Sequence, residues 1–351
     1  MTRPLPETLR PWLQAQLAED SPLSALVPVA GDASFRRYFR LQTARRCVIV
    51  CESPPAQEKN AEFLAVRRLL AGAGVRVPAL IAADSDAGFF VLEDLGDDLL
   101  LAALKAADDA VVEACYGRAR AMLVALAAVA VPHRGPAALP DYSPKLLQRE
   151  MDLFPGWFLG RLLPGAEDLL RGEVWASLCT RLIDSARQQP QVFVHRDFHS
   201  RNLMCLPGAE LATIDFQDAV LGPLTYDTVS LFKDCYLRWP RERVVGWALA
   251  QRDAFAAAGI ALPGALEEDA GFLRSFDLTG LQRHLKVLGI FARLHLRDGK
   301  DAYLADLPRV VAYVEEVIDL YPDEPTLQEF AREVWAPLRP RLREQPWWRA
   351  A

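Results

Sequence analysis

The sequence predicts an α+β protein of two unequal lobes: a small five-stranded lobe with one main helix, then a larger, mostly helical one. Three observations predict this. Between residues 24 and 94 the apolar pattern runs strand, strand, strand, helix, strand, strand. From about residue 98 helical periodicity dominates. The exception, at 191–215, consists of short strand-like runs around polar loops.

Residues 6–19 read as a short amphipathic helix. SALVPVA (24–30), SFRRYFRLQT (34–43) and CVIVCES (47–53) are strand-like runs, interrupted by Gly31-Asp32 and Ala44-Arg45. After Pro54-Pro55, residues 57–74 have helical spacing and stop at Gly72 and Gly74. PALIAAD (78–84) and GFFVLED (88–94) are two more strands, joined by a turn at Asp84-Ser85-Asp86-Ala87. The loop Asp94-Leu95-Gly96-Asp97 then connects to Ala-rich helical stretches at 108–130 and 165–188. QVFV (191–194), LMC (203–205) and LATI (211–214) are short strands, and helical patterns resume at 226–236, 241–258, 277–297, 301–320 and 325–344. The division expected is residues 1–96 and 97–351.

Composition narrows the function. A chain of 351 residues, 51% hydrophobic and 25% charged, can bury one large core or two smaller ones. Its net charge of −6 argues against a general nucleic-acid binder, which needs a basic surface. Residues 1–96 carry 11 acids and 11 bases, so the whole acidic excess lies beyond them. No stretch approaches the roughly 20 apolar residues of a membrane span, and the first residues lack the apolar run of a signal peptide. A cytoplasmic protein with no membrane partner, a monomer or weak dimer, is expected. The cysteines at 47, 51, 115, 179, 205 and 235 show no metal-binding spacing and read as free thiols.

The chemistry concentrates at Val194-His195-Arg196-Asp197-Phe198-His199-Ser200-Arg201-Asn202-Leu203. An apolar strand delivers a polar loop in which Asp197 and Asn202 stand five apart. Thirteen residues after Asn202, a second apolar run ends in Asp215-Phe216-Gln217. Phosphoryl transfer to a hydroxyl needs one carboxylate to orient and deprotonate the acceptor, and oxygen ligands to hold Mg²⁺ among the nucleotide phosphates. Asp197 suits the base, and Asn202 and Asp215 the metal ligands. This order and spacing is the catalytic-loop arrangement of kinases. His195 and His199, four apart, would suit zinc on a helix, but this stretch follows a strand; His195 reads as a brace for the loop. Asp227, in LGPLTYDTVS, reads as a helix N-cap, with bracing of the catalytic loop as the alternative.

With those residues in place, the chain resembles the aminoglycoside-phosphotransferase and choline-kinase superfamily, relatives of the protein kinases, over residues 25–320. Within it the chain is similar to bacterial kinases that phosphorylate the anomeric hydroxyl of N-acetylmuramate and N-acetylglucosamine in cell-wall recycling. GDASFRRYFRL (31–41), ESPP (52–55), VLEDLGD (91–97), VHRDFHSRNLM (194–204), IDFQDAVLGPLTYD (214–227) and LKVLGIFARL (285–294) carry the likeness. The resemblance implies a bilobal protein-kinase-like fold with ATP between a nucleotide-binding N-lobe and a C-lobe that binds the acceptor. It implies that Gly31 to Ser34 form the phosphate-covering turn, with Ser34 near the β and γ phosphates. It further implies that Glu93-Asp94-Leu95 present backbone groups to the adenine edge.

One departure stands out: protein kinases carry a lysine on the third strand, and CVIVCES has none. Arg36 and Arg40 share a strand face with Tyr38 between them, while Arg37 points the other way. One of Arg36 or Arg40 is expected to replace the lysine, with Lys59 as a further cation. For the acceptor, Arg201, Asp218 and Asp234 are candidate polar contacts. Trp157, with Phe154 and Phe158, offers a stacking face, or else lies on a helix packed against the core. Arg283 and His284 are more remote candidates for a carboxylate-binding cation. The reading is an ATP- and Mg²⁺-dependent kinase of a small sugar, the 1-hydroxyl of an N-acetylated amino sugar being the acceptor. An aminoglycoside or choline-type kinase is the nearest alternative, and a nucleotide-binding regulator is the alternative from another class.

Overall fold

The structure is a computed structural model and describes residues 4–29 and 35–348. The N-lobe comprises α1 (Leu9–Gln16), β1 (Val27–Pro28), β2 (Arg37–Gln42), β3 (Cys47–Glu52), α2 (Asn60–Gly72), β4 (Leu80–Asp84) and β5 (Phe89–Glu93). The strands form one antiparallel sheet in the order β1-β2-β3-β5-β4. Strand alternation sorts the two faces. Phe39, Leu41, Val48, Val50, Phe89 and Val91 meet Leu9, Leu13 and Leu17 of the N-terminal segment. Cys51, Phe90 and Leu92 meet Phe63, Val66 and Leu70 of α2. A slip of one residue would exchange the two sets, so burial of both faces locks the register. Gly88, at φ +74°, closes the β4–β5 turn against β3: a Cβ there would lie 2.0 Å from the Ser53 carbonyl oxygen.

The C-lobe continues with α3 (Leu100–Lys105), α4 (Asp109–Ala127), α5 (Pro144–Met151), a π-helical stretch (Phe154–Leu162) and α6 (Val174–Arg187). Then come β6 (Gln191–Val194), β7 (Leu203–Cys205), β8 (Leu211–Thr213), β9 (Val220–Pro223), α7 (Tyr226–Phe232), α8 (Arg241–Ala257) and α9 (Asp269–Asp298). The chain closes with α10 (Leu307–Leu320), α11 (Pro325–Phe330), a π turn (Ala331–Trp335) and α12 (Ala336–Arg343). Asp108 and Ser143 cap α4 and α5 by accepting from the backbone N–H of Val111 and Leu146. The 30-residue α9 runs through the middle of the lobe and is buried on nearly every side from Phe272 to Leu294. Gly289 lets it touch the 151–163 segment, because a Cβ would stand 2.3 Å from the Leu153 carbonyl carbon.

Several elements depart from the sequence-based expectation. The pair β6–β9 was half missed, because Gly222 and Pro223 mask the strand pattern of β9 and only pairing with β6 imposes it. Helices α3 and α5 were not anticipated, and α9 begins eight residues earlier than the 277–297 pattern, at Asp269. The 301–320 pattern divides into a 3₁₀ segment (Asp301–Asp306) and α10, and 325–344 is interrupted by the π turn ahead of Pro337 and Pro340. All six cysteines are free. Among the described residues, no helix is long and apolar enough to cross a membrane.

Three backbone hydrogen bonds, Cys205 N–H to Asp98 (2.7 Å), Leu101 N–H to Ser200 (2.9 Å) and Thr213 N–H to Arg76 (2.9 Å), tie the β7–β8 pair and the loop before it to the connector region. Phe216 meets Phe63 of α2 in a stacked pair with centroids 5.3 Å apart. These contacts bring α2, the segment after it and the connector against the β7–β8 pair and the loops on either side of it.

Candidate active site

The strand β6 ends at Val194, and the loop after it is held from behind by two carboxylates. Asp227, in the first turn of α7, accepts the His195 N–H at 2.6 Å with one oxygen and the Arg196 N–H at 3.0 Å with the other. It is therefore a brace for the loop; Thr225 occupies the N-cap position expected for it. Asp234 accepts both the N–H and the hydroxyl of Ser200, at 2.9 and 2.5 Å, and the Tyr236 N–H at 2.9 Å. These bonds hold Arg196 at φ +74°, a left-handed conformation that an arginine adopts only when its surroundings impose it. The Arg196 guanidinium is anchored to Glu150 of α5 and to the Asp218 carbonyl, and Glu150 is also paired with Lys286 of α9 at 3.2 Å.

His195 is fully buried, its Nδ1 near the Asp197 N–H (3.4 Å) and its Nε2 2.9 Å from the Thr213 hydroxyl. Burial pushes its pKa down to about 4, so the ring is neutral at physiological pH and braces the loop. Burial lifts the Asp227 carboxyl to about 7, against the two N–H bonds that lower it. The sign follows from linkage: the folded chain holds this proton more tightly, so its contribution is complete below about pH 4 and is lost as pH rises towards 7. Asp227→Ala is expected to cost about 2–5 kcal/mol by leaving two buried N–H groups without an acceptor. The loss should be larger near pH 5 than near pH 7.5, as read from urea midpoints. Wild-type midpoints in the variant at both pH values would contradict the bracing role.

Within the loop, the Asp197 carbonyl accepts from the His199 N–H (3.0 Å) and from Asn202 Nδ2 (3.0 Å). Its carboxylate has no hydrogen-bond or ion-pair partner among the described residues. Burial alone would raise its pKa, but Lys286, His199, Arg196 and Arg283 overcome this and hold it below the usual carboxylate range. It is thus an ionised acceptor with its lone pairs unused.

Opposite it, Asp215 sits at φ +65°, and its Oδ2 lies 3.5 Å from Asn202 Nδ2. Its Oδ1 accepts from Gln217 Nε2 at 2.6 Å, a contact sequence reasoning missed although Gln217 stands in the motif itself. Because Asn202 Nδ2 points to the Asp197 carbonyl, the amide oxygen is the atom left for another partner. One carboxylate and one amide oxygen, with phosphate oxygens and water completing an octahedron, is a donor set that suits Mg²⁺. Among the described residues there is no cluster of three or more His, Cys, Asp or Glu to hold a metal by protein alone.

On the N-lobe side, Gly31 and Ser34 lie outside the described residues. Arg36, Tyr38 and Arg40 do share the face of β2 opposite Phe39 and Leu41, but the two arginines have different surroundings. Arg40 clasps the connector: its Nε and Nη2 meet the two oxygens of Asp94 at 2.6 and 3.0 Å, and Asp97 takes its outer edge at 2.9 Å. That is a correction to its expected place at the phosphates. Arg36 is buried, donates to the Ser53 hydroxyl at 3.1 Å, pairs with Glu58 at 3.3 Å and lies 5.2 Å over the Phe63 ring. The Glu93 side chain is occupied by Arg76 and the Ala79 N–H. The backbone N–H and carbonyl of Leu95 have no hydrogen bond among the described residues.

The acceptor candidates fare differently. Asp234 is fully buried with its oxygens spent on the loop, so a direct substrate contact is corrected to a bracing role. Asp218 is exposed, and its carbonyl receives Arg196. Phe154 and Phe158 are buried, and Trp157 carries Arg161 at 4.1 Å over its ring, so this segment serves the core rather than a stacking face beside Asp197. Arg201 remains half-exposed in the loop, over Tyr236. Arg283 comes close enough to Asp197 to influence its charge, and it donates a hydrogen bond to the Cys235 thiol at 3.2 Å. His284 is turned away, to the Lys233 carbonyl. Glu150 and Lys286 were not singled out from the sequence. Three polar residues together in an apolar helix, Arg283, His284 and Lys286, are the signal that could have found the latter.

The family described as "Phosphotransferase enzyme family" matches residues 25–268. A protein of Pseudomonas aeruginosa named N-acetylmuramate/N-acetylglucosamine kinase is 42% identical over 92% of this chain and 95% of its own. One of the same name from Neisseria meningitidis is 38% identical over 89% of this chain and 91% of its own. Among solved structures, a gentamicin complex of an aminoglycoside phosphotransferase superposes with a TM-score of 0.60 at 12% identity, covering 88% of this chain and 97% of its own. A choline kinase of Streptococcus pneumoniae gives 0.54 at 14%, covering 88% of this chain and 100% of its own. At such identities these two speak for the fold alone, the bilobal protein-kinase-like one.

Proposed function

Since the chain belongs to the phosphotransferase enzyme family, we propose that it transfers the γ-phosphoryl group of ATP to the anomeric hydroxyl of N-acetylmuramate or N-acetylglucosamine. The observation that carries the reaction type is the ionised, unpartnered Asp197 carboxylate opposite Asp215 and the Asn202 amide. The acceptor rests on the likeness to the kinases named for these sugars, which spans nearly the whole chain. The chain's part in the reaction is simple. Asp197 takes the proton of the sugar 1-hydroxyl as its oxygen bonds to the γ phosphorus, and the bond from that phosphorus to the β–γ bridging oxygen breaks, releasing ADP. An anomeric hydroxyl is more acidic than an ordinary alcohol, so a carboxylate of depressed pKa is an adequate base.

Asn202 and Asp215 would hold Mg²⁺, whose charge offsets that of the phosphates. Arg36 would be the N-lobe cation that meets the phosphates, with Glu58 as its counter-ion. Leu95 would offer its unpaired backbone groups to the adenine edge, and residues 1–96 would form the nucleotide-binding half. The test is incubation with MgATP and each sugar, followed by ³¹P NMR: a sugar 1-phosphate coupled to H1 is expected. Phosphorylation of kanamycin or choline with no product from either sugar would replace the acceptor. ATP consumption unaffected by any acceptor would favour a regulator.

A further inference from the structure

Within the loop, Arg201 is built unlike its neighbours. His195, Ser200 and Asn202 have hydrogen-bond partners inside the protein. The Arg201 guanidinium makes no hydrogen bond among the described residues. Its carbon lies 3.6 Å from the Tyr236 ring centroid and 5.7 Å from that of Tyr303. Its nearest carboxylate oxygen, on Asp306, is 3.9 Å away, and the other oxygen of Asp306 is held by Arg309 at 2.6 Å. The side chain is 38% exposed. An aromatic shelf therefore fixes the plane of a guanidinium and shields one face of it, while its N–H fork stays unfilled and open to solvent. Tyr236 is itself positioned by the Asp234 carboxylate that pins Ser200, and its ring meets that of His199 at 5.4 Å.

We propose that Arg201 recognises the carboxylate of N-acetylmuramate and so sets the preference between the two amino sugars. The inference rests on the proposed acceptor. N-acetylmuramate carries a carboxylate that N-acetylglucosamine lacks, and a planar guanidinium with a free edge binds carboxylates by two parallel hydrogen bonds. The loop keeps Arg201 close to the base along the chain: it stands four positions after Asp197, a Cα span of at most about 14 Å even when extended. Here two turn bonds shorten it, His199 N–H to Asp197 and Asn202 N–H to His199. The other cations near Asp197 are less suited. Lys286 and Arg196 are committed to Glu150. Arg283 is buried beside the base, where it would meet a group next to the reacting hydroxyl, which both sugars share.

The experiment compares kcat/KM for the two sugars at saturating MgATP in wild-type enzyme, Arg201→Met and Arg201→Lys. The ratio of N-acetylmuramate to N-acetylglucosamine is expected to fall roughly tenfold to a hundredfold in Arg201→Met, the ordinary worth of hydrogen bonds to a charged group. The change should lie mainly in the KM for N-acetylmuramate, as befits lost binding that is equal in ground and transition states. Arg201→Lys, which keeps the charge without the fork, should fall between. Because both sugars are measured on one preparation, partial misfolding cancels from the ratio. An unchanged ratio in both variants overturns the proposal, even if both rates drop together. Wild-type enzyme that phosphorylates neither sugar refutes the acceptor reading itself, and the proposal with it.

Discussion

Asp197→Asn is expected to lower kcat by about 10²- to 10⁴-fold, the range a positioned general base contributes, while the protein stays folded. The structure separates the two effects. Among the described residues, every hydrogen bond of Asp197 within the loop runs through its backbone: its N–H donates to His195, and its carbonyl accepts from His199 and Asn202. Its carboxylate supports nothing, so an isosteric amide leaves the loop in place. The cations that depress its pKa have other anchors: Lys286 and Arg196 keep Glu150, and Arg283 keeps the Cys235 thiol. Nucleotide affinity should therefore change little. The pH profile offers a second check. A carboxylate held below its ordinary pKa is charged throughout the neutral range, so wild-type kcat should not decline there through Asp197 protonation. A variant with near-normal kcat would remove Asp197 from the chemistry.

The N-lobe was legible in the sequence because both faces of its sheet are covered. Period-two alternation in 37–42, 47–52 and 89–93 had to match helices on either side, and it did. Alternation also put Arg36 and Arg40 on one face. It could not say which end of β2 meets the connector, and that decides their partners: Arg40 reaches Asp94 across 54 residues of sequence, and Arg36 reaches Ser53 across 17. The catalytic loop was legible as a local spacing of residue types. Its supports were not, because Asp227, Asp234 and Glu150 reach it from 32, 34 and 46 residues away. Of the three, only Asp227 stands at a helix start, where an acid reads as a cap. Asp234, a candidate polar contact for the acceptor by its place in the sequence alone, is fully buried and committed to backbone N–H groups. Of the two readings the sequence leaves open for Trp157 and its neighbours, a sugar face or a core, the structure favours the core, because α9 and the C-terminal helices close over Phe154 and Phe158.

The second large effect is expected at Asp215. Its φ of +65° makes the choice of substitution matter. Alanine there would add a backbone cost of about 1–2 kcal/mol for the left-handed conformation, whereas asparagine tolerates it. Asp215→Asn therefore removes the charge without adding strain, whereas Asp215→Ala removes the charge and adds the strain. If this carboxylate holds Mg²⁺ against the phosphates, both variants should weaken binding of MgATP at least about tenfold, the lower range for losing a charge-assisted contact, and should lower kcat further. Binding of ATP in excess chelator should hardly change. Asn202→Ala should act in the same direction but less on affinity, since it removes a neutral ligand. It should also lower kcat, because Asn202 Nδ2 holds the Asp197 carbonyl at 3.0 Å and with it the base. Calorimetry with and without Mg²⁺ separates these cases. Wild-type MgATP affinity in Asp215→Asn would move the metal away from this turn. An equal loss with and without Mg²⁺ in Asp215→Ala alone would point to backbone strain, leaving the carboxylate without a part in metal binding.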